Sequence, residues 1–100
     1  MKTTKPAPKK SSKKAVLATG SAVFVRTVTN YYTGTVVGVD KTWLRLQDAA
    51  WVADTGRFSV ALATGTLSEV EPYPDGEVLV ALGAIVDVCP WQHKLPRETK

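Results

Sequence analysis

From Val23 onward the chain alternates apolar and polar residues over short runs, and the alternation breaks once into helical spacing. Val23–Thr29 is rich in β-branched residues, with Val23, Val25 and Thr27 on one face, and predicts a first strand. Asn30-Tyr31-Tyr32 predicts a turn, because Asn tolerates the left-handed conformation. Thr33–Val39 predicts a second strand, with Gly34, Val36 and Gly38 on one face and Thr35, Val37 and Val39 on the other. Two glycines on one face permit a sharp bend or a close backbone approach. Asp40-Lys41-Thr42 predicts a tight turn and Trp43–Asp48 a third strand.

The period then changes. Phe58, Ala61, Leu62 and Gly65 lie at i, i+3, i+4 and i+7, which predicts a short helix over 57–64 closed by Gly65. Asp54-Thr55-Gly56 supplies the turn before it. Leu67–Glu71 predicts a short extended piece whose Glu69 and Glu71 share its outer face. The prolines and Asp-Gly of Glu71–Gly76 predict a loop. Glu77–Leu82 and Ala84–Cys89 predict the last strands, interrupted at Gly83, and Trp91–Lys100 a polar C-terminal segment.

Charge divides the chain in two. Residues 1–14 carry six lysines (Lys2, Lys5, Lys9, Lys10, Lys13 and Lys14) and no acid. Residues 15–100 carry seven Lys/Arg against nine Asp/Glu, a net of −2. The high isoelectric point is therefore a property of a low-complexity tail, predicted to be disordered, and not of a basic folded surface. With 100 residues there is room for one domain, placed at 15–100 with a helical insertion at about 50–66. One cysteine and one histidine exclude an intrachain disulfide and a four-ligand structural zinc site. No run of about 18 apolar residues predicts a membrane helix, and the lysines at the start lack a following apolar stretch. The expected setting is the cytoplasm of a bacterial cell, or a virion.

The stretch Gly34–Ala49 carries a more specific pattern: Gly34, Val36, Gly38 and Asp40, a turn, then Leu44, Leu46, Asp48 and Ala49. This resembles the first signature motif of Sm-like proteins, and the Leu82–Val88 stretch, with Gly83 and Val86, resembles the second. The resemblance covers Val23–Ala49 and Leu82–Val88. It implies a small five-stranded Sm-like or SH3-like β-barrel and a tendency to form rings. The chain departs from the family where the family reads uridine. The turn after Asp40 is a residue shorter and lacks the Asn, and Leu82 stands where an Arg would be. A base-specific pocket of that kind is not expected. A fainter resemblance, to short uncharacterised phage-encoded proteins, rests on Val25-Arg26-Thr27, the Gly34 strand, Ala49, Trp51 and the helix that follows. It implies a viral or prophage source.

The candidate binding residues follow from these patterns. The six lysines suit phosphate contact without sequence preference, since the tail has no aromatic residue to stack on bases. An acidic protein is the other partner they suit. Arg45 and Arg57 are candidate anion binders, and Asp40 is a candidate acceptor in a ring-facing loop or a turn residue bonding its own backbone. Trp51 and Phe58, in the insertion, are candidates for a subunit interface or a ligand pocket. Cys89 and His93 are separated by Pro90 and predict no catalytic pair. No nucleophile elbow, phosphate loop or paired-carboxylate motif is present. The expectation is a non-enzymatic homo-oligomeric binding module without cofactor or metal. Two other classes fit the same residues: a structural or assembly protein of a phage particle, and an oligomer that sequesters nucleotides.

Overall fold

The computed structural model describes residues 16–100. The predicted tail and its six lysines lie outside the described residues. Six strands and one helix follow in the order β1 (Ala22–Thr27), β2 (Tyr31–Val39), β3 (Trp43–Asp54), α1 (Phe58–Thr64), β4 (Glu69–Pro72), β5 (Glu77–Ala81) and β6 (Ile85–Pro90). A single 3₁₀ turn, Leu82–Ala84, joins β5 to β6. The mainly β class expected from the alternation is the one observed, with six strands in place of five.

All pairings are antiparallel. The sheet runs β4-β3-β2-β1-β6, and β5 pairs with the first half of β3 while β4 pairs with the second. Among the described residues no pairing joins β5 to β6, so the sheet is open there. β3 is the spine: Trp43–Gln47 pair with β5 and Ala50–Asp54 with β4. Between these halves the register against β2 shifts, so that Asp48 and Ala49 both stand opposite Gly34. That is a β-bulge, which bends the strand and raises its twist.

The bend separates two cores. Val23 and Val25 enter the first, with Val36, Leu44, Leu46 and Val80. Phe24 enters the second, with Ala50, Val52, Ala61, Leu67, Val70 and Trp91. β1 is therefore buried on both faces, and its three central residues are fully inaccessible. Burial of each such large side chain contributes about 1.5–3 kcal/mol.

α1 closes the second core. Phe58, Ala61 and Leu62 face it, as the spacing predicts. Gly65 ends the helix in the left-handed conformation, φ 80°, and its N–H donates to the Ala61 carbonyl at 2.8 Å. A Cβ there would stand 2.7 Å from the His93 ring, so glycine is needed twice over.

Three expectations are corrected. Tyr31 and Tyr32 are strand residues, and the turn is Val28–Asn30, pinned by Thr27, whose Oγ1 donates to the Asn30 carbonyl at 2.7 Å. The third strand does not end at Asp48 but passes through the bulge to Asp54, because Ala50 and Val52 alternate into the second core. The C-terminal segment is not merely polar. Trp91 is buried against Phe24, with ring centroids 5.7 Å apart. Further on, Val70 and Lys100 exchange two backbone hydrogen bonds of 3.0 and 2.9 Å along the outer edge of β4.

Candidate functional site

β3 carries two of the sequence-predicted site residues, Arg45 in its first half and Trp51 in its second. Trp51 and Ala50 are adjacent, so they face opposite sides of the sheet. Ala50 looks into the second core beside Phe24. Trp51 looks the other way and is 37% exposed. Its register partners are Tyr32 on β2 and Glu71 on β4. Tyr32 and Tyr73 have ring centroids 6.4 Å apart.

Trp51 is the shared wall of two shallow depressions. One, of about 310 Å³, lies toward the Val28–Asn30 turn and Ala53. The other, of about 210 Å³, is bounded by Glu71, Pro72, Tyr73 and Pro74. The result is an aromatic and proline surface with a carboxylate at its rim. Tyr32, Glu71 and Tyr73 were not singled out by the sequence. The signal that finds them is the cross-strand register, which only the folded sheet supplies.

Phe58 does not join Trp51. It packs on Phe24 at 5.8 Å on the opposite face of the sheet, under the Arg26 guanidinium, whose carbon lies 5.0 Å from its centroid. Such a cation–π contact is worth about 0.5–1 kcal/mol at an exposed site. Arg26 also grips Asp87 with both ends of its fork, Nε donating to Oδ1 at 2.9 Å and Nη2 to Oδ2. The Asp87 carboxyl is held below the usual carboxylate range by that hydrogen bonding.

Arg45 sits at the other end of β3. Its Nε and Nη2 donate to the two Glu77 oxygens at 2.9 and 3.0 Å. Its guanidinium lies over Gly38, where a Cβ would stand 3.2 Å from Nη1. The candidate anion binder thus has an internal anion, and the Glu77 carboxyl is pushed down by it. Arg57 is exposed at the start of α1, where it makes no side-chain cap. Within one chain, Arg45, Arg57, Trp51 and Phe58 do not converge on one site.

Asp40 bonds its own turn. Its Oδ1 accepts from the backbone N–H groups of Thr42 and Trp43, both at 2.8 Å. These two donors lower its pKa. Cys89 is half-buried on β6, and burial pushes its thiol pKa up, away from the nucleophilic thiolate. The His93 Nε2 donates to the Leu62 carbonyl at 2.7 Å. Among the described residues no group of three or more His, Cys, Asp or Glu is placed to hold a metal ion, and no helix is long and apolar enough to cross a membrane.

Comparison with protein-family models, with curated proteins and with solved structures finds no match to this chain.

Proposed function

We propose that the protein is a non-enzymatic binding module of the small-barrel class, homo-oligomeric, that contacts the backbone of DNA or RNA through its lysine tail. The observation that carries this reading is the division of charge. Six lysines and no acid stand in residues 1–14, whereas the body has a net charge of −2. The body's Arg26 and Arg45 are already paired with Asp87 and Glu77. The tail is therefore the densest run of cations in the chain, and a tail without aromatic residues gives salt-dependent contact without base readout.

The barrel is supported by connectivity. In a flat sheet, β5 beside β3 and β6 beside β1 would lie four strand spacings apart, about 19 Å. The three-residue link Leu82–Ala84 is a 3₁₀ turn, which rises only about 2 Å per residue. The sheet has to curl until its two edges approach. Those edges, with Leu79 and Val86 exposed on them, are the surfaces through which copies would join head to tail.

The test is binding of a labelled single-stranded oligonucleotide by the full chain across a salt series. Affinity should fall steeply with salt, and a variant with all six tail lysines changed to serine should lose both the affinity and the salt slope. Unchanged binding by that variant overturns the reading. Light scattering that finds a monomer at micromolar concentration overturns the oligomer.

A further inference from the structure

Three features coincide around Trp51. The surface is apolar and aromatic, formed by Trp51, Tyr73, Pro72 and Pro74. Glu71 is the direct cross-strand partner of Trp51. Two pairs further along the same ladder, past a register shift, Asp54 stands opposite Glu69. Like charges directly opposed on neighbouring strands destabilise a sheet. Among the described residues no lysine or arginine pairs with any of these three carboxylates. Arg97 reaches this edge, but its guanidinium is taken up by the Ala49 and Tyr73 carbonyls, and Lys100 lies along β4 at Val70; the three carboxylates still suit an occupant that is extended, partly apolar and basic.

The chain itself contains such a segment. Lys5-Pro6-Ala7-Pro8-Lys9-Lys10 places two prolines between lysines. Proline-containing segments dock on aromatic surfaces as polyproline II helices, at low ordering cost because that conformation is largely preformed. The tail starts within reach: Gly20, four residues after Val16, donates its N–H to the Val36 carbonyl, and Val36 lies four positions along β2 from Tyr32, about 13 Å. The chain from Val16 back to Lys10 spans up to about 20 Å when extended.

We propose that the Trp51 surface is the docking site of the chain's own Lys5–Lys10 segment. Pro6 and Pro8 lie against Trp51 and Tyr73, and the lysines lie toward Glu71, Glu69 and Asp54. The same lysines then serve two acceptors, the acidic rim and a polyanion. Nucleic acid has to displace the tail from the body before it is bound, which makes the contact autoinhibitory. That consequence rests on the function proposed above; the docking does not.

The fold provides its own control. Trp43 is 38% exposed, about as much as Trp51, but its register partner is Ala81 and the charges around it balance, Arg45 against Glu77 and Lys41 against Asp40. A basic segment has no reason to settle there. The experiment follows the three indole N–H resonances of the full isotope-labelled chain, with Trp51 assigned from Trp51→Phe. In the full chain carrying Lys5→Glu, Lys9→Glu and Lys10→Glu, the Trp51 resonance should shift while those of Trp43 and Trp91 stay. High salt should move Trp51 of the wild type to the same position. A spin label on Ser11→Cys, in a Cys89→Ser background, should broaden Trp51 selectively, and the broadening should survive dilution with unlabelled protein.

A Trp51 resonance indifferent to the tail substitutions and to salt overturns the proposal. Broadening abolished by dilution overturns its intramolecular form. An oligonucleotide should return Trp51 to its undocked position. Tail-dependent shifts in a protein that binds no oligonucleotide would leave the docking standing and sink the nucleic-acid function.

Discussion

Gly34 on β2 stands opposite Asp48 on β3, the one described non-glycine residue with a positive φ, 52°. A Cβ on Gly34 would lie 3.1 Å from the Leu46 Cβ and 3.4 Å from the Ala49 Cα. The two residues together make the bend at which β3 exchanges β5 for β4. Gly34→Ala should destabilise the fold by about 1–3 kcal/mol through overpacking. At position 48, Asp48→Val should cost about 1–2 kcal/mol, since a β-branched residue resists the left-handed region. Asp48→Gly should change stability by less than about 1 kcal/mol, because relief of strain is offset by entropy gained in the unfolded chain. Urea unfolding of the three variants measures all of this; an unaffected Asp48→Val would show that the bulge is not under that constraint.

Thr33 is fully buried, and its hydroxyl oxygen has no hydrogen-bond partner. It faces the second core beside Phe24 and Ala50. An unsatisfied buried hydroxyl costs about 1–3 kcal/mol. Thr33→Val keeps the shape and removes the cost, so it should raise stability by about 1 kcal/mol or more. Thr33→Ser keeps the hydroxyl and loses a methyl group, so it should lower it. Thermal melts that rank the two variants in the opposite order would contradict the burial argument.

Acid should weaken the fold through three surface carboxylates. Backbone N–H donors lower the Asp40 pKa, and arginine partners lower those of Glu77 and Asp87. A group whose folded pKa lies below its unfolded value stabilises the fold above the unfolded value, about 4 for these side chains. That contribution is lost as pH falls through the lower folded pKa. The urea midpoint should therefore be level from neutral pH to about 5 and fall below about 4. A variant combining Asp40→Asn, Glu77→Gln and Asp87→Asn should show a shallower fall. An equally steep fall in that variant would assign the acid sensitivity elsewhere.

Arg97 fastens the C-terminal segment to the sheet. Its Nη1 donates to the Ala49 carbonyl at 3.0 Å and its Nη2 to the Tyr73 carbonyl at 3.1 Å. Ala49 belongs to the bulge, and its carbonyl also accepts from the Tyr73 N–H at 2.8 Å. Arg97→Met keeps part of the packing and removes the donors. It should cost about 1.5–3 kcal/mol, the range for hydrogen bonds to a charged group. It should also speed amide exchange at Val70 and Lys100, which pair with each other. Protection that is unchanged at Val70 would mean that the segment holds without the clamp.

Local pattern determined a good deal of this protein. The β class, the hairpin through Asp40, the helix from Phe58 and its glycine stop all follow from side-chain period and turn chemistry, which act over a few residues. The division between a lysine-rich tail and an acidic body is likewise written in composition. The tertiary structure decided what depends on partners distant in the chain. β1 reads as a half-exposed strand, yet a second core covers its other face, supplied in part by Trp91, more than sixty residues away. β3 runs on past Asp48 because the bulge opposite Gly34 turns its second half toward β4. Trp51 and Phe58, neighbours in the sequence pattern, part to opposite faces, and Trp51 gains Tyr32, Glu71 and Tyr73 as company. Register and bend are properties of paired strands, and a single strand's sequence does not contain its partner.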